Sequence, residues 1–270
     1  MTGRDESMRR FAAWRKARIA ELAGPESWLG LVGLHPIEPG INPVGRGADC
    51  TVALPGGPDR AGELVWAGAT LEWHPAGGEP LMLASDRQGK PTVVELGPLA
   101  FFVIDRDGRL AVRVRDREWA SKTTFVAPEC FPYQMSWRVN AAWQRLDSPV
   151  TMEVPNVSGD LREVQVDHRA VFEVDGEPLS LLPVSVENEK AFFVFRDRSS
   201  GRETYGAGRF LKAPIGSDGK VVLDFNRAYS PPCAFTPFAT CPLPPPENWL
   251  PVAVTAAGKI PAPHPAAVPP

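Results

Sequence analysis

Thirty prolines and 24 glycines are spread through this 270-residue chain. Both residue types interrupt long regular elements, proline by removing an N–H donor and glycine by its backbone freedom. A chain punctuated so often is restricted to short segments joined by tight turns. The expected fold class is therefore mainly β: an N-terminal helix, a β-sandwich-like part, and a C-terminal antiparallel β-barrel or sandwich. The chain is long enough to bury a substantial core.

The helix is expected within residues 1–27. Arg4 to Leu22 contains neither Gly nor Pro, Phe11, Trp14, Ile19 and Leu22 recur at three- and four-residue spacings, and Gly24-Pro25 ends the pattern. Residues 28–116 read as short strands, at Trp28–Leu34, Thr51–Leu54, Gly62–Trp66 and Thr70–Trp73. A hairpin follows, with arms Phe101–Ile104 and Leu110–Val114 around Asp107-Gly108. In its second arm Leu110, Val112 and Val114 alternate with Ala111, Arg113 and Arg115, so the basic face is expected to be solvated. Residues 117–150, with Phe125, Phe131, Tyr133, Trp137 and Trp143, read as a connecting segment packed on the body of the protein. Turns at Asp175-Gly176, Ser199–Gly201 and Asp218-Gly219 then divide residues 151–255 into a meander. The Ala- and Pro-rich residues 256–270 read as a disordered tail.

Several function classes are disfavoured. The net charge is −3 with no basic stripe, which argues against nucleic acid as a partner. No apolar run approaches the ~18 residues of a membrane span. The charged start MTGRDESMRRFAAWRK is unlike a secretory signal, so the expected location is cytoplasmic. Cys50, Cys130, Cys233 and Cys241 are few and scattered and are expected to be reduced. His35, His74, His168 and His264 make no metal clasp, and no nucleophile elbow, phosphate loop or paired C-x-x-C is present. Neither metal nor cofactor is expected.

Unusual residues concentrate between Thr204 and Cys241. On a strand through TYGAGRFL, Tyr205 and Arg209 would share a face, and Gly206 and Gly208 the other. Paired glycines fit either a bend at a barrel corner or the close approach of a backbone or ligand. On a strand through LDFNRAY, Asp224 and Asn226 would share a face, and Arg227 would lie on the opposite one. Asp224 can be read as half of a structural pair with Arg209, or as a carboxylate that orients a ligand or acts as general base. The Pro-rich loop that follows holds Cys233 and Cys241 with seven residues between them, which is not a zinc spacing. Both thiols read mainly as small buried hydrophobes, with a catalytic or metal-ligating Cys233 as the lesser reading.

The stretches SWLGLVGLHPIEPGINPVG, VPNVSG, TYGAGRFLKAP and VVLDFNRAYSPPCAFTPFATCPLPPPEN resemble the domain-of-unknown-function family numbered 1684, from about Trp14 to Lys259. That resemblance implies a β-rich cytoplasmic protein and supplies no catalytic residues. EPGINPVGRGADCTVALP is also similar to the start of a forkhead-associated β-sandwich, where a Gly-Arg turn precedes a strand. The Ser-x-x-His pattern that helps such domains hold phosphothreonine has no counterpart in GPDRAGELVW.

Three functions follow as expectations. The first is a C-terminal β domain that binds a small polar or anionic molecule through Tyr205, Arg209, Asp224, Asn226, Arg227, Tyr229 and Cys233. The second is a hydrolase-type enzyme with Asp224 as acid or base beside Tyr205 or Glu203. The third is a protein-interaction scaffold built on the forkhead-associated-like part.

Overall fold

The computed structural model describes residues 3–118 and 125–261. One α-helix, α1 (Gly3–Ala23), precedes sixteen named strands among these residues. The fold is mainly β, and the chain divides into two compact units, residues 21–125 and residues 126–264, the latter joined by the helical residues up to Ala20.

In the unit of residues 21–125 the strands are β1 (Leu31–Pro36), β2 (Gly40–Gly45), β3 (Val52–Ala53), β4 (Gly62–Ala67), β5 (Thr70–Pro75), β6 (Leu81–Met82), β7 (Val94–Leu96), β8 (Leu99–Arg106) and β9 (Arg109–Asp116). They form two sheets, in the orders β1-β9-β8-β7 and β3-β2-β4-β5-β6. All pairs are antiparallel except β2 with β3. Alternation builds the core between the sheets. Val44, Val52, Leu64, Leu71 and Trp73 of one sheet pack with Phe101, Val103, Val112 and Val114 of the other, making a sandwich. Trp73 meets Phe101 edge-on at 5.2 Å.

The basic face of β9 differs from expectation. Arg113 is buried rather than solvated, with the rings of Trp28 and Phe102 at 5.2 and 5.9 Å from its guanidinium carbon. Aromatic faces attract the cation, and the apolar stem covers the sheet. Arg115 bonds Glu26, and Arg117 bridges Glu26 and Glu95.

The unit of residues 126–264 contains β10 (Arg138–Pro155), β11 (Leu161–Val174), β12 (Glu177–Leu181), β13 (Ser185–Glu187), β14 (Lys190–Phe195), β15 (Arg209–Pro214) and β16 (Lys220–Asp224). The sheets run β12-β11-β10-β16 and β13-β14-β15. An antiparallel bridge between Ile215 and Val221 joins β15 to β16. β14 is buried on both faces. Ala191, Phe193 and Phe195 enter one core, while Val194 enters another with Met152, Val166 and Phe210. A continuous apolar run, AFFVF, suits such a strand.

Two expected boundaries move. The connecting segment anticipated over 117–150 gives way at Arg138 to β10, the longest strand, because Val139, Ala141 and Trp143 face the core. The tail anticipated from Ala256 instead stays in the fold through Pro261: Ala256 and Ala257 are buried, and Phe131 N–H donates to the Ala257 carbonyl at 2.9 Å. Small side chains let this irregular segment thread the core. Residues 262–270, including His264, lie outside the described residues.

Within this unit α1 lays Phe11 against Tyr133, with centroids 5.4 Å apart, and Arg18 over the Tyr229 ring at 4.5 Å. No helix among the described residues is long and apolar enough to cross a membrane.

Candidate functional site

The sequence-predicted residues do not share two strand faces: Tyr205 lies on a turn, Arg209 opens β15, Asn226 and Arg227 lie on the 3-10 turn after β16, and Cys233 on a further one. β15 begins only at Arg209, and Thr204–Gly208 is a turn closed by Gly208 N–H donating to the Tyr205 carbonyl at 3.0 Å. Tyr205 and Arg209 therefore share no strand face. Gly208 has φ +89°, and a Cβ there would stand 2.5 Å from the Phe195 carbonyl oxygen and 2.4 Å from Pro244 Cγ. Glycine is required at this position by left-handed geometry and by a close backbone approach.

Arg209 is fully buried and pairs with Asp197, not with Asp224. Its Nη2 donates to Asp197 Oδ2 at 2.7 Å and to the Val254 carbonyl at 2.9 Å, and Nη1 donates to the Ala256 carbonyl at 2.6 Å. Asp197 Oδ1 accepts from Ser199 N–H at 2.8 Å, from the Ser199 hydroxyl at 2.5 Å and from Val254 N–H at 3.2 Å. The Ser199 hydroxyl also bonds Thr204 at 2.8 Å. This network staples the 197–204 loop to the chain end, and the side chains of both ion-pair partners have 0% exposure. Burial pushes the Arg209 pKa down, and the Asp197 charge opposes that push.

Asp224, Asn226 and Arg227 are brought together because β16 stops at Asp224 and Phe225–Arg227 winds into a 3-10 turn. The Asn226 amide donates to Asp224 Oδ1 at 3.0 Å and to the Gln134 carbonyl at 2.9 Å, and its Oδ1 accepts from Gln134 N–H at 3.0 Å. Arg227 Nε stands 3.4 Å from Asp224 Oδ2. The Asp224 side chain is 12% exposed and that of Arg227 is 34% exposed. Arg227 Nε and Ser230 Oγ are both buried without a hydrogen-bond partner among the described residues. Ser230 escaped the strand-based reading because RAYSPPC has no periodicity to place it. Its only signal was a hydroxyl in an otherwise apolar, Pro-fixed segment.

Beyond Ser230, Tyr229 pairs with Phe210 through an antiparallel bridge and meets its ring edge-on at 5.8 Å. The Tyr205 hydroxyl donates to the Cys233 carbonyl at 3.1 Å, and Cys233 N–H donates to Cys241 Sγ at 3.3 Å. None of the four cysteines is in a disulfide. The Tyr205 pKa is pushed up, first by burial and then by Cys233. Asn248, which sequence reasoning missed in the PPPEN stretch, is fully buried and bonds the Leu182 N–H, the Leu182 carbonyl and the Val194 carbonyl. A pocket of about 160 Å³, lined by Pro55, Gly57, Leu96, Pro98 and Asp116, belongs to the other unit and contains none of the predicted residues. Among the described residues no group of His, Cys, Asp and Glu is arranged to hold a metal ion.

A search of curated proteins finds no match. Among solved structures the chain is similar to the solution NMR structure of an uncharacterized protein from Haloarcula marismortui. The two are 33% identical, with 50% of this chain and 77% of that chain covered and a TM-score of 0.41. Residues 123–259, the span that holds both turns and the long C-terminal motif, match the family described as Protein of unknown function (DUF1684), and the chain belongs to that family.

Proposed function

We propose that the unit of residues 126–264 binds a small anionic ligand at the turn after β16, with the Arg227 guanidinium and the Ser230 hydroxyl as anchors. The observation that carries this reading is a partly exposed guanidinium, Arg227, three residues before a buried hydroxyl that has no hydrogen-bond partner among the described residues, Ser230 Oγ. An unsatisfied buried polar group costs about 1–3 kcal/mol, so the Ser230 hydroxyl calls for an explanation. A carboxylate or phosphate supplies an acceptor for the hydroxyl, and a guanidinium fork takes either in bidentate geometry. The partial exposure of Arg227 leaves it reachable from solvent. Asn226 and Asp224 orient the guanidinium, while Tyr229 flanks the turn beneath Arg18. Held between Asn226 and Arg227, Asp224 suits orientation better than proton abstraction, which favours binding over the hydrolase reading.

Thermal denaturation of the full chain with inorganic phosphate, sulfate and succinate tests the proposal. At least one of these anions is expected to raise Tm in a concentration-dependent way. Arg227→Gln and Ser230→Ala are each expected to reduce that rise. Equal shifts in wild type and both variants, or no shift with any of the three, would overturn it.

A further inference from the structure

A second cluster on the same unit, independent of the anion site, joins two thiols and a phenol. Cys233, preceded by Pro231 and Pro232, sits on a short 3-10 turn (Pro232–Ala234). Cys241 is anchored from the other side. Its carbonyl accepts from Val157 N–H at 3.0 Å, and Pro242 bridges Asn156 at the end of β10. The loop between them folds back so that Cys233 N–H reaches Cys241 Sγ at 3.3 Å. Cys233 is partly exposed, whereas Cys241 is buried. The Tyr205 hydroxyl lies against Cys233, donating to its carbonyl, and its O–H can turn toward the sulfur once that sulfur carries charge.

We propose that Cys233 and Cys241 are a redox pair that closes reversibly to a disulfide, with Cys233 as the attacking sulfur and Cys241 as the resolving one. The division of roles follows from access: Cys233 is the partly exposed residue of the two and Cys241 the buried one, so a hydroperoxide meets Cys233 first. The Cys233 thiolate attacks the distal oxygen of a hydroperoxide. The O–O bond breaks, Cys233 becomes a sulfenic acid, and the alkoxide or hydroxide leaves and takes up a proton. The Cys241 thiol then attacks the Cys233 sulfur, the S–O bond breaks, and water leaves with the Cys241 proton. In sum, two thiols lose two electrons and the hydroperoxide is reduced to an alcohol or water. A dithiol reductant reverses the closure by exchange.

Acidity supports the assignment. The neighbouring Cys241 thiol and, after it, the Tyr205 hydroxyl favour the charged form of Cys233 and lower its thiol pKa, against burial. The Cys50 and Cys130 thiols are pushed up instead, chiefly by burial.

The test is peptide mapping of the full chain after stoichiometric hydrogen peroxide, with remaining thiols blocked by N-ethylmaleimide. Cys233 and Cys241 are expected to escape alkylation together, in one peptide pair lighter by two hydrogens, and to recover on treatment with dithiothreitol. Cys50 and Cys130 are expected to stay alkylatable. In Cys241→Ser, dimedone is expected to trap a sulfenic acid at Cys233. In Tyr205→Phe, the pH midpoint for alkylation of Cys233 is expected to shift upward. The wild-type mapping stands even if a variant fails to fold. Over-oxidation of Cys233 with Cys241 still alkylatable, or faster oxidation of Cys50 or Cys130, would overturn the proposal.

Discussion

Arg209 illustrates how a single side chain is fixed by what surrounds it. With no exposure, it is tolerable only because Asp197 and two carbonyls receive its terminal N–H donors, while Nε stays without a hydrogen-bond partner among the described residues. Replacing it by Met would leave the Asp197 carboxylate buried and uncompensated. We expect a loss of about 3–5 kcal/mol in urea denaturation, and a smaller loss in the double variant with Asp197→Asn, where no buried charge remains. His35 acts through protonation. Burial pushes its pKa below the usual imidazole value, and a bond to the Ala53 carbonyl only partly offsets this. The unfolded chain therefore takes up a proton at a higher pH than the folded one. The stability that His35 confers is complete above the unfolded value near ~6.5 and is lost as pH falls through that value toward the lower folded one. A His35→Gln variant is expected to flatten the pH dependence of Tm in that window, and an unchanged slope would count against the assignment. Neither residue's role was legible in the sequence. Asp197 lies in a loop whose turn was anticipated but whose return to the chain end was not, and no periodicity marks such a contact.

At the scale of elements, turns were the most legible features, because their chemistry is local. Asp107-Gly108 and Asp175-Gly176 both have two successive positive φ angles, +56° and +84° in the first, +52° and +83° in the second. These are the hairpin turns that Asp-Gly favours. The turn between β13 and β14 uses the same geometry without glycine, at Asn188 (φ +49°) and Glu189 (φ +58°), and so carried no sequence signal. Relieving the left-handed strain at Glu189 outweighs the entropy cost of glycine, so Glu189→Gly is expected to stabilise by about 0.5–1 kcal/mol. Chemical denaturation checks this, and a destabilised variant would contradict it. Of the candidate site, Asp224, Asn226 and Arg227 were named from the sequence, but Ser230 and the arrangement were not. Reading TYGAGRFL and LDFNRAY as continuous strands gave the wrong facings, since each is half strand and half turn. Asp224, Asn226 and Arg227 meet because the backbone winds there, and Arg209 leaves the set for the core.

At the scale of the whole molecule, two units each close a core of their own, and the family match falls on the one that carries both functional proposals. The mainly β class followed from the dense punctuation by proline and glycine, and the structure agrees with it. The anion site is tested most directly by watching the Arg227 Nε–Hε resonance in nitrogen-15 NMR spectra while the full chain is titrated with phosphate, sulfate and succinate. A saturable shift of that resonance and of the Ser230 amide is expected with at least one of the three anions, weakened in Ser230→Ala. An unchanged Arg227 signal, with small shifts scattered over exposed lysines and arginines, would contradict it.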